Sequence, residues 1–157
     1  MKILFVCTHN RCRSILAEAI TNKNAGGNIV AYSAGSAPAG EVHPLTLKYL
    51  KECGYETADL KSQSWDEFAT NAIDLVITVC DSAAQEACPL WIGKTLKVHW
   101  PIKDPSKTEG NDEDVETAFL HTIKLIENKV RALTETVNRN LTKNEMQLEL
   151  KQIAEIN

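Results

Sequence analysis

The sequence predicts an α/β fold, a doubly wound three-layer sandwich with a four-stranded parallel sheet. Four short, continuous apolar runs are typical of strands that are buried on both faces. These runs alternate with stretches of helical periodicity, and 157 residues is the size of one domain. Strands separated by helices need crossover connections, which make the sheet parallel and place helices on both of its faces.

The first half of the chain supplies two strands and two helices. The first strand is the apolar run from Lys2 to Val6, and a helix from Ser14 to Ala25 follows, ended by two glycines. The second strand spans Asn28 to Ser33. Pro44 is favoured at the first position of a helix and Gly54 just after the last, so these two residues bound the second helix.

The second half supplies two further strands and the longest helix. Ser64 to Glu67 forms a capping-box pattern that begins a short helix. The third strand spans Asp74 to Val79, a short helix runs from Asp81 to Cys88, and the fourth strand spans Leu96 to Trp100. From Asp112 to Val137 the apolar residues recur at steps of three or four, which predicts a long amphipathic helix.

The predicted domain covers residues 1–137, and residues 138–157 form a C-terminal extension. The extension contains good helix formers, but its apolar residues give no clear stripe. It is therefore compatible with a frayed helix, a segment swapped onto a neighbour or a dimer contact.

Composition narrows the classes of function. Seventeen Lys and Arg against twenty-one Asp and Glu give a net charge of −4, which argues against a general binder of nucleic acid or anionic membranes. The apolar run at the N-terminus is too short for a signal peptide or a membrane span, so we expect a cytoplasmic protein. In a reducing compartment the five cysteines are thiols available for chemistry. No Cys-x2-Cys pair occurs and the four histidines are scattered, so zinc is not expected. No cofactor is predicted.

The loop after the first strand has the chemistry of an oxyanion site. Its sequence runs from Cys7 to Ser14 and leads into a helix, whose N-terminal N–H groups attract anions. Arg13 adds a planar fork that can hold two oxygens of the anion, and the same positive field favours the thiolate of Cys7. Ser14 can donate to that thiolate or merely cap the helix. The remaining predicted substrate-binding residues are Thr8, His9, Asn10, Arg11 and Cys12.

Three side chains that could take part in catalysis follow three different strands. Cys7, Cys80 and Asp104 lie at or just after predicted strand ends, and the carboxyl ends of parallel strands meet at one edge of the sheet. Asp104 can protonate a leaving oxygen, with Pro105 restricting the backbone beside it. The alternative for Asp104 is that the Asp-Pro pair only begins a turn.

These motifs resemble those of the low-molecular-weight protein tyrosine phosphatase fold, and the chain resembles the arsenate reductases built on it. The resemblance rests on the loop from Cys7 to Ser14, the Ser33–Gly35 turn, the Cys80–Cys88 segment and Asp104 with Pro105. It implies an enzyme that binds arsenate with Arg13 and the loop amides, with Cys7 as nucleophile and Asp104 as acid. The loop departs from the family in one residue, since His9 replaces the usual glycine.

Two further cysteines favour a reductase over a phosphatase. Reduction of arsenate to arsenite takes two electrons from thiols, so a second thiol must attack Cys7 after arsenic is bound, and Cys80 is the candidate. The resemblance implies that Cys88 relays the disulfide to thioredoxin. Glutathione with glutaredoxin is the other electron donor that the sequence leaves open, and a buried thiol at a helix end is the alternative for Cys88.

Other interpretations also remain open. Asn10, Glu18 and Ser33 match positions that bind potassium in some reductases of this type, although Glu18 is equally compatible with a solvated position on its helix. A tyrosine or small-molecule phosphatase is the first alternative function. A non-catalytic oxyanion-binding thiol switch is the second.

Overall fold

The computed structural model describes residues 1–85, 89–93 and 95–157 of the chain. Its strands are β1 (Lys2–Cys7), β2 (Val30–Gly35), β3 (Leu75–Thr78) and β4 (Leu96–His99). Its α-helices are α1 (Arg13–Asn24), α2 (Pro44–Glu52), α3 (Asp81–Gln85), α4 (Asp112–Val137) and α5 (Lys143–Ala154). Three short 3-10 helices lie at Trp65–Phe68, Leu90–Ile92 and Pro105–Lys107.

The four strands form one parallel sheet in the order β2-β1-β3-β4, which confirms the predicted fold class. The connection from β1 runs to β2 at one edge of the sheet, and the connection from β3 runs to β4 at the other edge. Right-handed crossovers then place α1 and α3 on opposite faces. The strand order reverses between β1 and β3, and the crevice at such a point is where α/β sheets bind ligands.

The core lies around the central strand β1, whose residues Ile3 to Val6 are buried as the apolar run predicted. Trp100 follows β4, is fully buried and packs against Phe5 with ring centroids 5.7 Å apart. Helices α1 and α4 pack on each other, and α1 also contacts β1 and β2. The rim of the sheet where the loops gather is therefore held on a rigid base.

Element boundaries differ from the sequence expectations in small ways. The second strand begins at Val30 rather than Asn28, and the capping box at Ser64 begins a single 3-10 turn. The short helix after the third strand is described to Gln85, so its predicted end at Cys88 lies outside the described residues.

The C-terminal extension packs on its own chain. Met146, Leu150 and Ile153, spaced four and three residues apart, form the buried stripe of α5, which contacts α4 and β4. Lys129 of α4 is buried, and its Nζ donates to the carbonyl oxygens of Ile153, Ala154 and Ile156 at 2.6–3.1 Å. The last carbonyls of a helix lack partners within the helix, so this lysine caps the end of α5.

Candidate active site

The loop after β1 is held by a network centred on Asn10. Asn10 is fully buried and has a left-handed φ of 45°, which asparagine tolerates better than most residues. Its Nδ2 donates to Ser14 Oγ and Ser33 Oγ, both at 2.9 Å, and its Oδ1 accepts from the backbone N–H of Gln63 at 2.8 Å. Asn10 therefore fixes the loop through its side chain as well as through its backbone.

Gly35 at the end of β2 allows the loop to approach the sheet closely. A Cβ atom at this position would lie 2.5 Å from the carbonyl oxygen of Thr8 and 3.0 Å from the Asn10 Cβ. His9 helps to hold the neighbouring turn, since its Nδ1 lies 3.2 Å from the carbonyl oxygen of Ala37. A side chain on residue 35 would push the loop away from its position.

Two groups hydrogen-bond to the buried sulfur of Cys7. The backbone N–H of Asn10 donates to Sγ at 3.2 Å, and Ser14 Oγ lies 3.0 Å from it. Because Asn10 already donates to Ser14 Oγ, the serine hydroxyl is oriented to donate to the sulfur. The N-cap of α1 is Cys12, so Ser14 does not have the capping role that was its alternative interpretation.

Opposing effects act on the pKa of the Cys7 thiol. Burial is the dominant influence and raises the pKa of the Cys7 thiol above its usual value, because a buried thiolate loses its hydration. Hydrogen bonds from Ser14 and from the Asn10 amide lower the pKa, whereas the neighbouring Cys80 raises it. The two donors partly offset the penalty of burial.

Arg13 and Asp104 form an ion pair across the rim. Arg13 Nη2 lies 3.1 Å from Asp104 Oδ2, and Arg13 Nη1 donates to the carbonyl oxygen of Ile102 at 3.1 Å. Asp104 Oδ1 accepts from the N–H and the hydroxyl of Ser106 at 3.0 and 2.6 Å, so Asp104 caps the 3-10 turn that follows. The turn predicted as an alternative role for Asp104 is therefore present and places the carboxylate beside Arg13.

Cys80 lies at the same rim as Cys7. It is buried after β3, its Sγ accepts from the N–H of Ala83 at 3.3 Å, and Thr8 Oγ1 lies 3.8 Å from it. Thr8 directly follows Cys7, so this contact joins the anion loop to Cys80. Cys88, the third predicted redox residue, lies outside the described residues.

A cavity of about 330 Å³ joins these groups. Of the predicted residues, Cys7, Thr8, His9, Arg11, Cys12, Arg13, Cys80 and Asp104 line it. Asn10 and Ser14 lie behind it in the supporting network. The Nε atoms of Arg11 and Arg13 are buried without a hydrogen-bond partner in the described part of the chain. Two unsatisfied cationic donors beside one cavity indicate an anion as its ligand.

Cys12 shares the cavity with Cys7 and is likewise buried. Burial, together with the nearby carboxylate of Asp104, raises the pKa of Cys12 to about 12. Burial therefore favours the protonated thiol at Cys12 as it does at Cys7.

The sequence interpretation missed four residues that line the cavity: His43, Ser82, Ser106 and Lys107. Ser82 and Ser106 could have been found, because each lies two residues after a predicted site residue. His43 lies far along the sequence from Cys7 and enters the site through a contact between loops, for which the sequence carries no signal beyond the adjacent Pro44.

The residues predicted for potassium lie together in one chain of hydrogen bonds. Ser33 Oγ accepts from Asn10 Nδ2 at 2.9 Å and donates to Glu18 Oε2 at 2.6 Å. Burial raises the pKa of Glu18 to about 7, against smaller opposing effects of Ser33 and Lys61. Potassium binding at these residues stays a prediction.

The described part of the chain contains neither a helix that could span a bilayer nor a group of side chains that could hold a metal ion. Over residues 1–85, 89–93 and 95–157, no helix is both long and apolar enough to cross a bilayer. Over the same residues, no three His, Cys, Asp or Glu side chains are grouped so that they could hold a metal ion.

Comparisons with known proteins agree with this geometry. The family model for low molecular weight phosphotyrosine protein phosphatase matches residues 2–143. A protein of Halalkalibacterium halodurans named arsenate reductase is 36% identical over 134 residues, covering 85% of this chain and 95% of that protein. A solved arsenate reductase of Archaeoglobus fulgidus has a TM-score of 0.70 and 29% identity, covering 85% of this chain and 98% of that one.

A thioredoxin-dependent arsenate reductase of Corynebacterium glutamicum is also similar. Its TM-score is 0.66 at 29% identity, and the match covers 87% of this chain and 61% of that longer chain. The predicted resemblance is confirmed by these matches, and the chain belongs to the low molecular weight phosphotyrosine protein phosphatase family.

Proposed function

We propose that the protein is an arsenate reductase that reduces arsenate to arsenite with its own thiols. One observation carries the proposal: a second buried thiol, Cys80, lines the same cavity as the thiol of the anion loop, Cys7. A phosphatase has no use for this second thiol. Relatives that cover most of this chain are named arsenate reductase, which supports the same activity.

Arsenate binding is assigned to Arg13 and the N–H groups of the loop at the start of α1. The Nε of Arg13 is buried without a partner in the described chain, so an oxyanion would satisfy it. Arg11 has the same unsatisfied Nε, and the positive end of α1 adds to the attraction. Arg13 also holds Asp104 at 3.1 Å, which keeps the acid beside the bound anion.

In the first chemical step, the Cys7 sulfur attacks arsenic and forms a sulfur–arsenic bond. One arsenic–oxygen bond breaks, and Asp104 takes up the proton released by the Cys7 thiol and passes it to the leaving hydroxyl, which departs as water. Ser14 and the amide of Asn10 donate to the sulfur and stabilise its thiolate before the attack. Arsenic keeps its +5 state in this step because no electrons have left the thiol.

In the second step, the Cys80 thiolate attacks the Cys7 sulfur. A disulfide forms, the sulfur–arsenic bond breaks, and its electron pair stays on arsenic, which leaves as arsenite in the +3 state. Thr8 Oγ1, 3.8 Å from the Cys80 sulfur, is positioned to hydrogen-bond to it before the attack. The two electrons that reduce arsenic thus come from the two cysteines.

An external thiol system must then reduce the disulfide. Thioredoxin is the first candidate, since the similar Corynebacterium glutamicum protein is named thioredoxin-dependent, and glutathione with glutaredoxin is the second. Cys88 would pass the disulfide from Cys80 to the donor. The described cysteines, Cys7, Cys12, Cys53 and Cys80, are free thiols, and the cytoplasm is a compartment that keeps them so.

The test is arsenite release under multiple turnover with a thioredoxin system, and separately with glutathione and glutaredoxin. We expect Cys80→Ser to abolish turnover with the effective donor. Cys53→Ser is the matched control, because Cys53 lines a different cavity with Lys23 and Tyr55, and it should leave turnover unchanged. Undiminished turnover by Cys80→Ser would refute the reductase mechanism.

A phosphatase is the second candidate function. It is favoured by the family match and by the grouping of Cys7, Arg13 and Asp104, which suffices for phosphoryl transfer. The same variants separate the two functions when hydrolysis of an aryl phosphate is measured. A phosphatase would keep its activity in Cys80→Ser and would release no arsenite in the wild-type protein.

A further inference from the structure

His43 stands at the entrance to α2 and lines the oxyanion cavity. Its backbone N–H donates to the carbonyl oxygen of Arg11 at 2.9 Å, so the anion loop and the start of α2 are joined directly. His43 lines the same cavity as Cys7 and Arg13. The residue is therefore fixed beside the anion site from a distant part of the sequence.

One ring nitrogen of His43 already accepts a hydrogen bond. Nδ1 accepts from the backbone N–H of Leu45 at 3.2 Å and so caps the N-terminus of α2. A nitrogen that accepts a hydrogen bond carries no proton, so the proton of the neutral ring is on Nε2. The capping bond thus selects the tautomer and leaves Nε2–H as the donor of the ring.

The Nε2–H group has no hydrogen-bond partner among the described residues. The ring is also kept neutral, because burial and the positive charge of Arg11 lower the pKa of His43, against a smaller opposing effect of Asp104. A neutral imidazole with a fixed N–H can donate to an anion without forming a competing ion pair with Asp104.

We propose that His43 is a substrate-binding residue whose Nε2–H donates a hydrogen bond to an oxygen of the tetrahedral oxyanion held by the loop. The inference rests on the proposed function, because the ligand is the arsenate bound there, and inorganic phosphate has the same tetrahedral shape and charge. His43 would add a neutral donor to the charged donors of Arg11 and Arg13. Nδ1 of the ring then caps α2, and Nε2 contacts the substrate.

Two substitutions separate the two sides of the ring. In His43→Asn the amide oxygen can take the place of Nδ1 as the helix cap, since asparagine is among the best N-cap residues. In His43→Gln the longer side chain can place an N–H donor near the position of Nε2 but is a poor cap. Inorganic phosphate is the probe, with affinity measured by calorimetry and stability by thermal unfolding.

We expect the two variants to show opposite losses. His43→Asn should bind phosphate about tenfold more weakly than the wild-type protein, with an unchanged Tm. His43→Gln should keep phosphate affinity within about threefold, and its Tm should fall by about 2–4 °C, the size expected for a lost cap. If His43 only capped the helix, His43→Asn would not bind phosphate more weakly than the wild-type protein.

Wild-type phosphate affinity in His43→Asn would overturn the inference and leave the proposed function intact, since arsenite release by the wild-type protein is measured separately. Equal losses of phosphate affinity in both variants would also overturn it, because the loss would then not follow Nε2. Absence of phosphate binding by the wild-type protein would overturn both the inference and the proposed oxyanion site.

Discussion

Glu18 gives the protein a pH-dependent stability whose size follows from the structure. Burial raises the pKa of Glu18 from 4.5 to about 7. One pKa unit corresponds to about 1.4 kcal/mol, so the rise from 4.5 to about 7 corresponds to about 3.5 kcal/mol of differential stability. Between pH 4.5 and 7 the folded state holds a proton that the unfolded state has released. This contribution is therefore fully present below pH 4.5 and is lost as the pH rises to about 7.

Glu18→Gln isolates this contribution. Glutamine resembles the protonated acid and can still accept the hydrogen bond that Ser33 now donates to Glu18 at 2.6 Å. Urea unfolding at a series of pH values gives the free energy of unfolding of each protein. The variant and the wild-type protein should be about equally stable at pH 4.5, and the variant should be about 3.5 kcal/mol more stable at pH 8.

Glu116→Gln is the matched control, because Glu116 is exposed on α4, and its stability difference from the wild-type protein should not vary with pH. Parallel pH profiles for Glu18→Gln and the wild-type protein would refute the assignment of a buried, proton-binding Glu18. The same experiment tests the predicted potassium site. If potassium binds at ionised Glu18, KCl but not NaCl will stabilise the wild-type protein at pH 8 and leave Glu18→Gln unaffected.

Two further predictions concern the sulfur of Cys7 and the end of α5. Ser14→Ala removes a donor that lowers the pKa of Cys7, so that pKa should rise further. The pH profile of iodoacetamide alkylation should then move to higher pH, and an unmoved profile would contradict the role of Ser14. Lys129→Met leaves three carbonyl oxygens at the end of α5 without their donor and should lower the free energy of unfolding in urea by about 2–3 kcal/mol. The exposed Lys151→Met is its control, and equal effects of the two substitutions would show that the buried ammonium contributes nothing specific.

The sheet and the anion loop could be predicted from the sequence because both depend on local signals. Continuous apolar runs define strands that are buried on both faces, and each run ends where a polar loop begins. The rule that parallel strands end at one edge then brings Cys7, Cys80 and Asp104 together before any coordinate is known. The structure places all three in the wall of one cavity.

What the sequence could not supply depends on contacts between distant residues. His43 reaches the cavity through its bond to Arg11, and no periodic pattern marks that contact. The choice between the two roles of Ser14 depended on where the side chain of Asn10 points. The direction of the Cys7 pKa depends on how deeply the fold buries the sulfur, whereas the sequence shows only which charges and donors lie nearby.

The docking of α5 was missed for a related reason. Its stripe consists of only three residues, and the ammonium that caps its end belongs to α4. A lysine within an amphipathic helix is ordinarily expected to face solvent, so the sequence gives no sign that Lys129 is buried.

The fold holds the sulfur of Cys7 more firmly than the sulfur of Cys80. Cys7 ends β1, the strand that is paired on both sides by β2 and β3, and its sulfur is held by two further hydrogen bonds. Cys80 lies two residues after the last residue of β3 and outside the strand pairing of the sheet. In the proposed mechanism, the sulfur that first bonds to arsenic is therefore held firmly by its strand, and the displacement that joins the two sulfurs would come from the side of Cys80.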